Sequence, residues 1–296
     1  MRLTLAVDIG GTELRMAVVD QAGVVRDLRR TATDATGGPQ AVIAQILALR
    51  QSLDVADPVG VGVCAPGPLD SEAGIAIAPP TLPGWRDVPL AALLQSRLGL
   101  PVRLANDANA AALGEWRFGA GCGVSHMVFV TVSTGIGGGV IADGRLLLGH
   151  RGMAAEIGHM TIDAQSELSL FGNAPGTWES LASGTALGRA GAAHGLSTAR
   201  AVAEAARAGH AQAVALMAQE ATWLGIGLVN LLHLYAPQRL VVGGGLGSAL
   251  DLLHGGIAAT IRARALPPYR EVPVLAAARG GDAGLVGAAA LMLDTL

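Results

Sequence analysis

Lysine is missing from this sequence: all twenty basic residues among its 296 are arginine. The absence excludes several phosphate-handling and amine-dependent enzymes. A nucleotide-binding P-loop needs G-x-x-x-x-G-K, a protein kinase pairs its phosphates with a lysine, and Schiff-base chemistry needs an amine. Any phosphate held by this chain must be met by backbone N–H groups, arginine or a metal ion. The chain is rich in alanine, glycine and arginine, a bias that accounts for the missing lysine without a functional cause; the exclusions stand regardless. Cysteine is nearly absent too. Cys64, ending the apolar run 59–64, is expected to be a buried small hydrophobe, and Cys122 lies in a glycine loop, so neither a disulfide framework nor a zinc cluster is supported and a reducing cytoplasm fits. Only 15% of residues are charged while 51% are apolar, which makes the chain globular rather than disordered. A net charge of −3 without a basic cluster argues against nucleic acid and against an anionic membrane as partner. The N-terminus lacks a signal-like apolar run, because Asp8 and Glu13 intervene. The most apolar helical stretch, 221–236, contains Asn230 and His233 and is shorter than the roughly twenty residues that cross a bilayer, so it is expected to be a core helix.

What the chain has in abundance is glycine at turns. Residues 3–20 (LTLAVDIGGTELRMAVVD) and 127–148 (MVFVTVSTGIGGGVIADGRLLL) both read as strand, glycine turn, strand. Glycine lets the backbone approach a ligand with its N–H groups outward, so two such turns suit a phosphate chain. Asp8, at the mouth of the first, suits a hydrated Mg²⁺, which keeps several waters and takes one or two carboxylates.

Between and after the turns, strand and helix patterns alternate, which favours an α/β fold. Helical spacing covers 39–53, 90–98, 108–118, 197–208 with Ser197 as N-cap, 248–265 and 280–296; strands are expected at 59–64, 102–104 and 239–245, the last running into a glycine turn. The segment 149–176 reads as irregular, and the glycine loop 119–123 is a candidate boundary. The recurring hairpin implies two related lobes with a small-ligand cleft between them.

These segments together resemble the ROK family of bacterial sugar kinases and sugar-responsive repressors. The resemblance rests on DIGGT at 8–12, APGPLD at 65–70, NDANAAALGE at 106–115, STGIGGG at 133–139, EIGH at 156–159, WESLASG at 178–184 and VVGGG at 241–245, in family order. It implies a two-lobed actin-like ATPase (ribonuclease H-like) α/β fold with a central cleft, the small lobe at 1–118 plus 281–296 and the large lobe at 119–280. It also implies ATP-dependent phosphorylation of a hexose at its 6-hydroxyl, with glucose the first acceptor and N-acetylmannosamine or another N-acetylhexosamine the alternative. Asp107 is then the general base, since phosphoryl transfer needs positioning, charge neutralisation and a carboxylate for the hydroxyl proton. Read from the residues alone, Asn106 and Asp107 are better taken as a helix cap than as a catalytic pair; the two roles are compatible.

By the same resemblance, Gly10, Gly11 and Thr12 form the first phosphate loop, with Asp8 on Mg²⁺ through water. Thr134, Gly135 and Gly137, Gly138 and Gly139 form the second, and Gly243, Gly244 and Gly245 lie beside the adenosine. Sugar contacts fall to Gly67, Asn106, Asp107, Glu156, His159 and Glu179, whose carboxylates and amide suit neighbouring hydroxyls. The other six histidines are expected to be structural. Many family members bind zinc through C-x-C-G-x-x-G-C-x-E; here the segment reads SLFGNAPGTWE at 169–179, without thiolates and with one extra residue before the glutamate, so no zinc site is expected. Packing by Phe171, Pro175 and Trp178 is the expected substitute. A repressor of this family carries a helix-turn-helix ahead of DIGGT, where seven residues stand here, and a catalytically dead sensor would not need Asp107. A cytoplasmic homodimer is the expected state, as is common in the family.

Overall fold

The computed structural model describes residues 2–293, which form two compact units. The first takes residues up to 122, 146–154 and those from 281 onward; the second takes 123–145 and 155–280.

The first unit opens with β1 (Leu3–Ile9), β2 (Glu13–Asp20) and β3 (Val25–Ala32), an antiparallel meander. α1 (Gly38–Gln51) leads to β4 (Val61–Ala65), the small pair β5 (Leu69–Asp70) and β6 (Ile75–Ala76), then α2 (Leu90–Leu98), β7 (Val102–Asn106) and α3 (Asp107–Phe118). The main sheet runs β3-β2-β1-β4-β7, with β1, β4 and β7 parallel. Period-2 alternation divides its faces by size. Leu5, Val7, Ile9, Leu14 and Met16 share one core with α1 and α2, while the small residues Ala6, Ala17, Cys64 and Ala105 share another. β3 carries the polar run VRDLRRTA at the sheet edge, where one face is solvated; apolar patterning does not predict it.

The second unit repeats the plan. β8 (Met127–Val132), β9 (Ile136–Ala142) and β10 (Arg145–Leu146) precede α4 (Trp178–Ala182), α5 (Gly184–Ala192), α6 (Ala199–Arg207) and α7 (Ala211–Tyr235). Then come β11 (Arg239–Gly243), the short α8 (Gly244–Gly247), α9 (Leu250–Arg264) and β12 (Val274–Ala276). The sheet order is β10-β9-β8-β11-β12, with β8 and β9 antiparallel and β8, β11 and β12 parallel. The N-cap of α6 is Thr198, not Ser197: its hydroxyl accepts from Ala201 N–H at 3.1 Å. α7 starts ten residues earlier than the expected 221, capped by His210, whose Nδ1 accepts from Ala213 N–H. At 25 residues it is long and apolar enough by length and composition to cross a membrane, but it packs on α9, α6 and α4 and buries Glu220.

The chain closes with α10 (Ala283–Leu293), which packs in the first unit on α3, β4 and β1. The last three residues of the helix expected over 280–296 lie outside the described residues. Close approach is possible because both sides are small: a Cβ on Gly62 would sit 1.7 Å from the Ala288 carbonyl oxygen, and one on Gly287 at 1.7 Å from that of Ala110. Residues 146–154, expected with the second lobe, pack in the first unit. There Arg151 Nε donates to Asp70 Oδ2 at 2.7 Å, and Ser71 N–H donates to the Arg151 carbonyl.

Candidate active site

In the first unit the candidate residues gather at the C-terminal ends of the parallel strands. Asp8 stands in register with Arg15 across the hairpin and with Cys64 on β4; one strand further, Ala65 pairs with Asn106. Asn106 caps α3, its Oδ1 accepting from Ala108 N–H at 2.9 Å, and Asp107 Oδ1 accepts from the same N–H at 2.7 Å. The cap therefore exists, and it holds the Asp107 carboxylate at the positive end of a twelve-residue helix.

Arg15 was not singled out by the sequence pattern, although counting across the turn puts it opposite Asp8. Its Nη2 donates to Asp8 Oδ2, while Nη1 donates to Asp282 Oδ1 at 3.3 Å and Nη2 to the Gly281 carbonyl at 2.8 Å. Burial opposes its charge, but Asp8 beside it outweighs burial and raises its pKa above the usual arginine value. Cys64 is fully buried as expected, and burial pushes its thiol well up, with the charges of Asp8 and Asp107 adding to the shift. Gly284 lies over this group: a Cβ there would stand 3.6 Å from Cys64 Sγ. Gly10 N–H closes the hairpin on Glu13 O at 2.9 Å, and Thr33 Oγ1 donates to Gly10 O at 2.7 Å. Gly67 precedes a cis peptide to Pro68.

In the second unit the turn is shorter than expected. Only Ser133, Thr134 and Gly135 join the strands; Gly137, Gly138 and Gly139 lie inside β9, paired with Thr131, Val130 and Phe129. Gly138 is small for a packing reason, since a Cβ there would meet Ile157 at 2.2 Å. Gly135 is small because of Glu179, whose Oε2 would lie 2.1 Å from an added Cβ. Thr134 and Gly245 line one cavity of about 870 Å³, together with Arg189, Arg200 and Arg207, none of which the motifs indicate. Gly244 has φ 79° and faces the Val132 carbonyl, a position that strains any side chain.

Glu156 and His159 flank a short turn, both largely exposed and 3.9 Å apart. This turn rests on β9, where Gly158 abuts Ile136 O, and connects to the start of α4 through Trp178 N–H donating to Met160 O at 2.8 Å. Glu179 is thereby a neighbour of both segments. The loop before it departs from expectation. Phe171 and Pro175 are exposed, so they do not pack it; Leu170 and the fully buried Trp178 do. Hydrogen bonds complete the hold: Gly176 N–H to Leu168 O and Ile162 N–H to Gly176 O, both at 2.9 Å. Among the described residues no group of three or more His, Cys, Asp or Glu side chains is arranged for a metal.

Two sheets of one strand order, each led by a hairpin with a glycine turn, define the architecture of the actin-like ATPases. Within that class the chain belongs to the ROK family, which it matches over residues 4–295. It is 34% identical to the glucokinase of Halalkalibacterium halodurans, over 97% of this chain and 93% of that protein. It is 38% identical to the N-acetylmannosamine kinase of Citrobacter koseri, covering 97% and 98%. Among solved structures, the ROK family glucokinase from Streptomyces griseus in complex with glucose and AMPPNP superposes with a TM-score of 0.83 at 35% identity, 98% of each chain covered.

Proposed function

We propose that this chain is an ATP-dependent hexose kinase that phosphorylates the 6-hydroxyl of glucose. The observation that carries the reading is near-full-length similarity to glucokinases, including one solved with glucose and an ATP analogue. The residues agree with it. Asp107 is the proposed base, accepting the proton of the attacking hydroxyl. Asn106, Gly67, Glu156, His159 and Glu179 are the proposed sugar contacts. The cavity holding Thr134 and Gly245 suits the nucleotide, where the arginines Arg189 and Arg200 supply positive charge that lysine supplies elsewhere.

Mg²⁺ fits the donors of the first unit. Asp8 is part-exposed and gives Oδ2 to Arg15, and its carboxylate would also accept from a metal-bound water. When bound, the ion would neutralise charge on the transferring phosphates. N-acetylmannosamine is a second acceptor, favoured by the Citrobacter relative. We place the enzyme in a reducing cytoplasm, in keeping with two cysteines that form no disulfide among the described residues, and as a homodimer by family resemblance.

The test is ADP release across a panel of hexoses and N-acetylhexosamines. Glucose is expected to give the highest kcat/KM, and Asp107→Ala to lower kcat by about a thousandfold. Release with no sugar in the panel, or full activity in Asp107→Ala, would overturn the reading.

A further inference from the structure

Asn173 lies in the loop that lacks thiolates, and hydrogen bonds hold both its backbone and its side chain. Its backbone is held twice: its N–H donates to Leu170 O at 2.9 Å, and its carbonyl accepts from Ser169 Oγ at 2.6 Å. Leu170 N–H in turn donates to Ser180 Oγ at 3.1 Å, on the same short helix that carries Glu179. With its backbone fixed, the Asn173 side chain has one partner. Its Nδ2 donates to Glu179 Oε1 at 2.6 Å. The other carboxylate oxygen, Oε2, accepts from Ile136 N–H at 2.8 Å. Glu179 is thus gripped from both ends, by a side-chain amide from the loop and by a main-chain amide from β9.

We propose that Asn173 is a positioning residue for the sugar site, fixing the Glu179 carboxylate so that its remaining lone pairs meet sugar hydroxyls and thereby setting sugar affinity. The proposal rests on the kinase reading and on Glu179 as a sugar contact. An ionised carboxylate has about four acceptor sites; two are used here, which leaves two. A carboxylate held in one orientation binds a polyol without the cost of ordering itself first. Asn173 does not reach the reacting atoms in this scheme, so its loss acts on binding and not on the transfer step.

The experiment uses the full chain and whichever of glucose and N-acetylmannosamine the wild type phosphorylates. Steady-state rates give kcat and both KM values, and calorimetry gives the sugar Kd without nucleotide. Asn173→Ala is expected to raise the sugar KM and Kd about tenfold, the worth of one hydrogen bond to a charged group. The kcat and the KM for ATP stay within about twofold, because uniform binding alone is lost. Asn173→Asp sets one carboxylate against another, so its sugar affinity is poorer than that of Asn173→Ala at neutral pH and recovers as pH falls and the pair takes up a proton. A structural role alone would not produce that pH profile. The proposal falls if Asn173→Ala binds sugar as the wild type does, if kcat falls with KM unchanged, or if Asn173→Asp shows no acid recovery. A wild type that neither binds nor phosphorylates any hexose overturns this proposal together with the kinase reading, whereas an active wild type with an indistinguishable Asn173→Ala overturns this proposal alone.

Discussion

The two units share a strand order but brace their leading hairpins by different means. In the first, an ion pair does it: Arg15 ties Asp8 to Asp282 and Gly281 at the approach to α10. In the second, Glu179 occupies the space that a Gly135 side chain would need and accepts the Ile136 N–H. Their buried carboxyls differ likewise. Burial would raise Asp20, but the Val24 and Ala22 N–H groups and Arg26 outweigh it and hold the carboxyl below its usual value. Glu220 is as deeply buried, its Oε1 has no hydrogen-bond partner, and burial pushes it well above the usual range. Burial sets the cost in both places, and the presence of paired donors decides its sign.

Gly62→Ala is expected to damage the first unit most. The new methyl would stand 1.7 Å from a helix carbonyl that cannot move without lifting α10 off β4, at a cost of about 3 kcal/mol in urea unfolding. A variant as stable as wild type would show that this interface is not the tight contact described. Arg15→Met tests the ionic brace, with an expected loss of about 2 kcal/mol, because Asp8 would lose its charged donor. Pairing it with Asp8→Asn should cost less than the sum of the single changes; strict additivity in this cycle would deny the coupling.

Glu220→Gln is the smallest effect and has the opposite direction, a gain of about 1 kcal/mol at neutral pH. The sign follows from the raised folded-state pKa. Folding favours the protonated acid, so that advantage is complete below the unfolded value near 4.5 and is lost as pH rises through the folded value. Wild type and variant should therefore unfold at similar urea concentrations near pH 4.5 and diverge at pH 7.5. Asp20 and Asp70 behave the other way. Asp70 is held low by the Ala73 N–H and by Arg151, and both groups contribute stability above their unfolded values that disappears as pH falls through the folded ones. Divergence of wild type and Glu220→Gln on the acid side instead would erase the contrast between the units.

Much of this was legible in the chain. The helix expected over 90–98 is α2 without adjustment, and the cap expected at 106–107 forms, because both depend on neighbours within a few residues. β3 was not legible, since an edge strand with a solvated face carries no apolar run. The three glycines 137–139 looked like part of a turn and pair with β8 as a strand, and the one at 138 is small because Ile157 packs against it. Phe171 looked like a packing residue and is exposed, while Leu170 next to it is buried; a loop without periodicity gives no signal for which of two adjacent side chains turns inward.

The sequence by itself determined the family, the two glycine turns, the helix cap that presents Asp107 and the exclusion of lysine-dependent phosphate binding. These follow from residue type and short spacing, where sterics and local hydrogen bonds suffice. Only the tertiary structure decided that Arg15 joins Asp8 to Asp282, that Asn173 and Ile136 share Glu179, and that Glu220 is buried with one oxygen unpaired. Contacts between distant segments, as between Arg15 and Asp282 or Ile136 and Glu179, the loop path that turns Asn173 toward Glu179, and the burial that changes a carboxyl's charge exist only once the chain has packed.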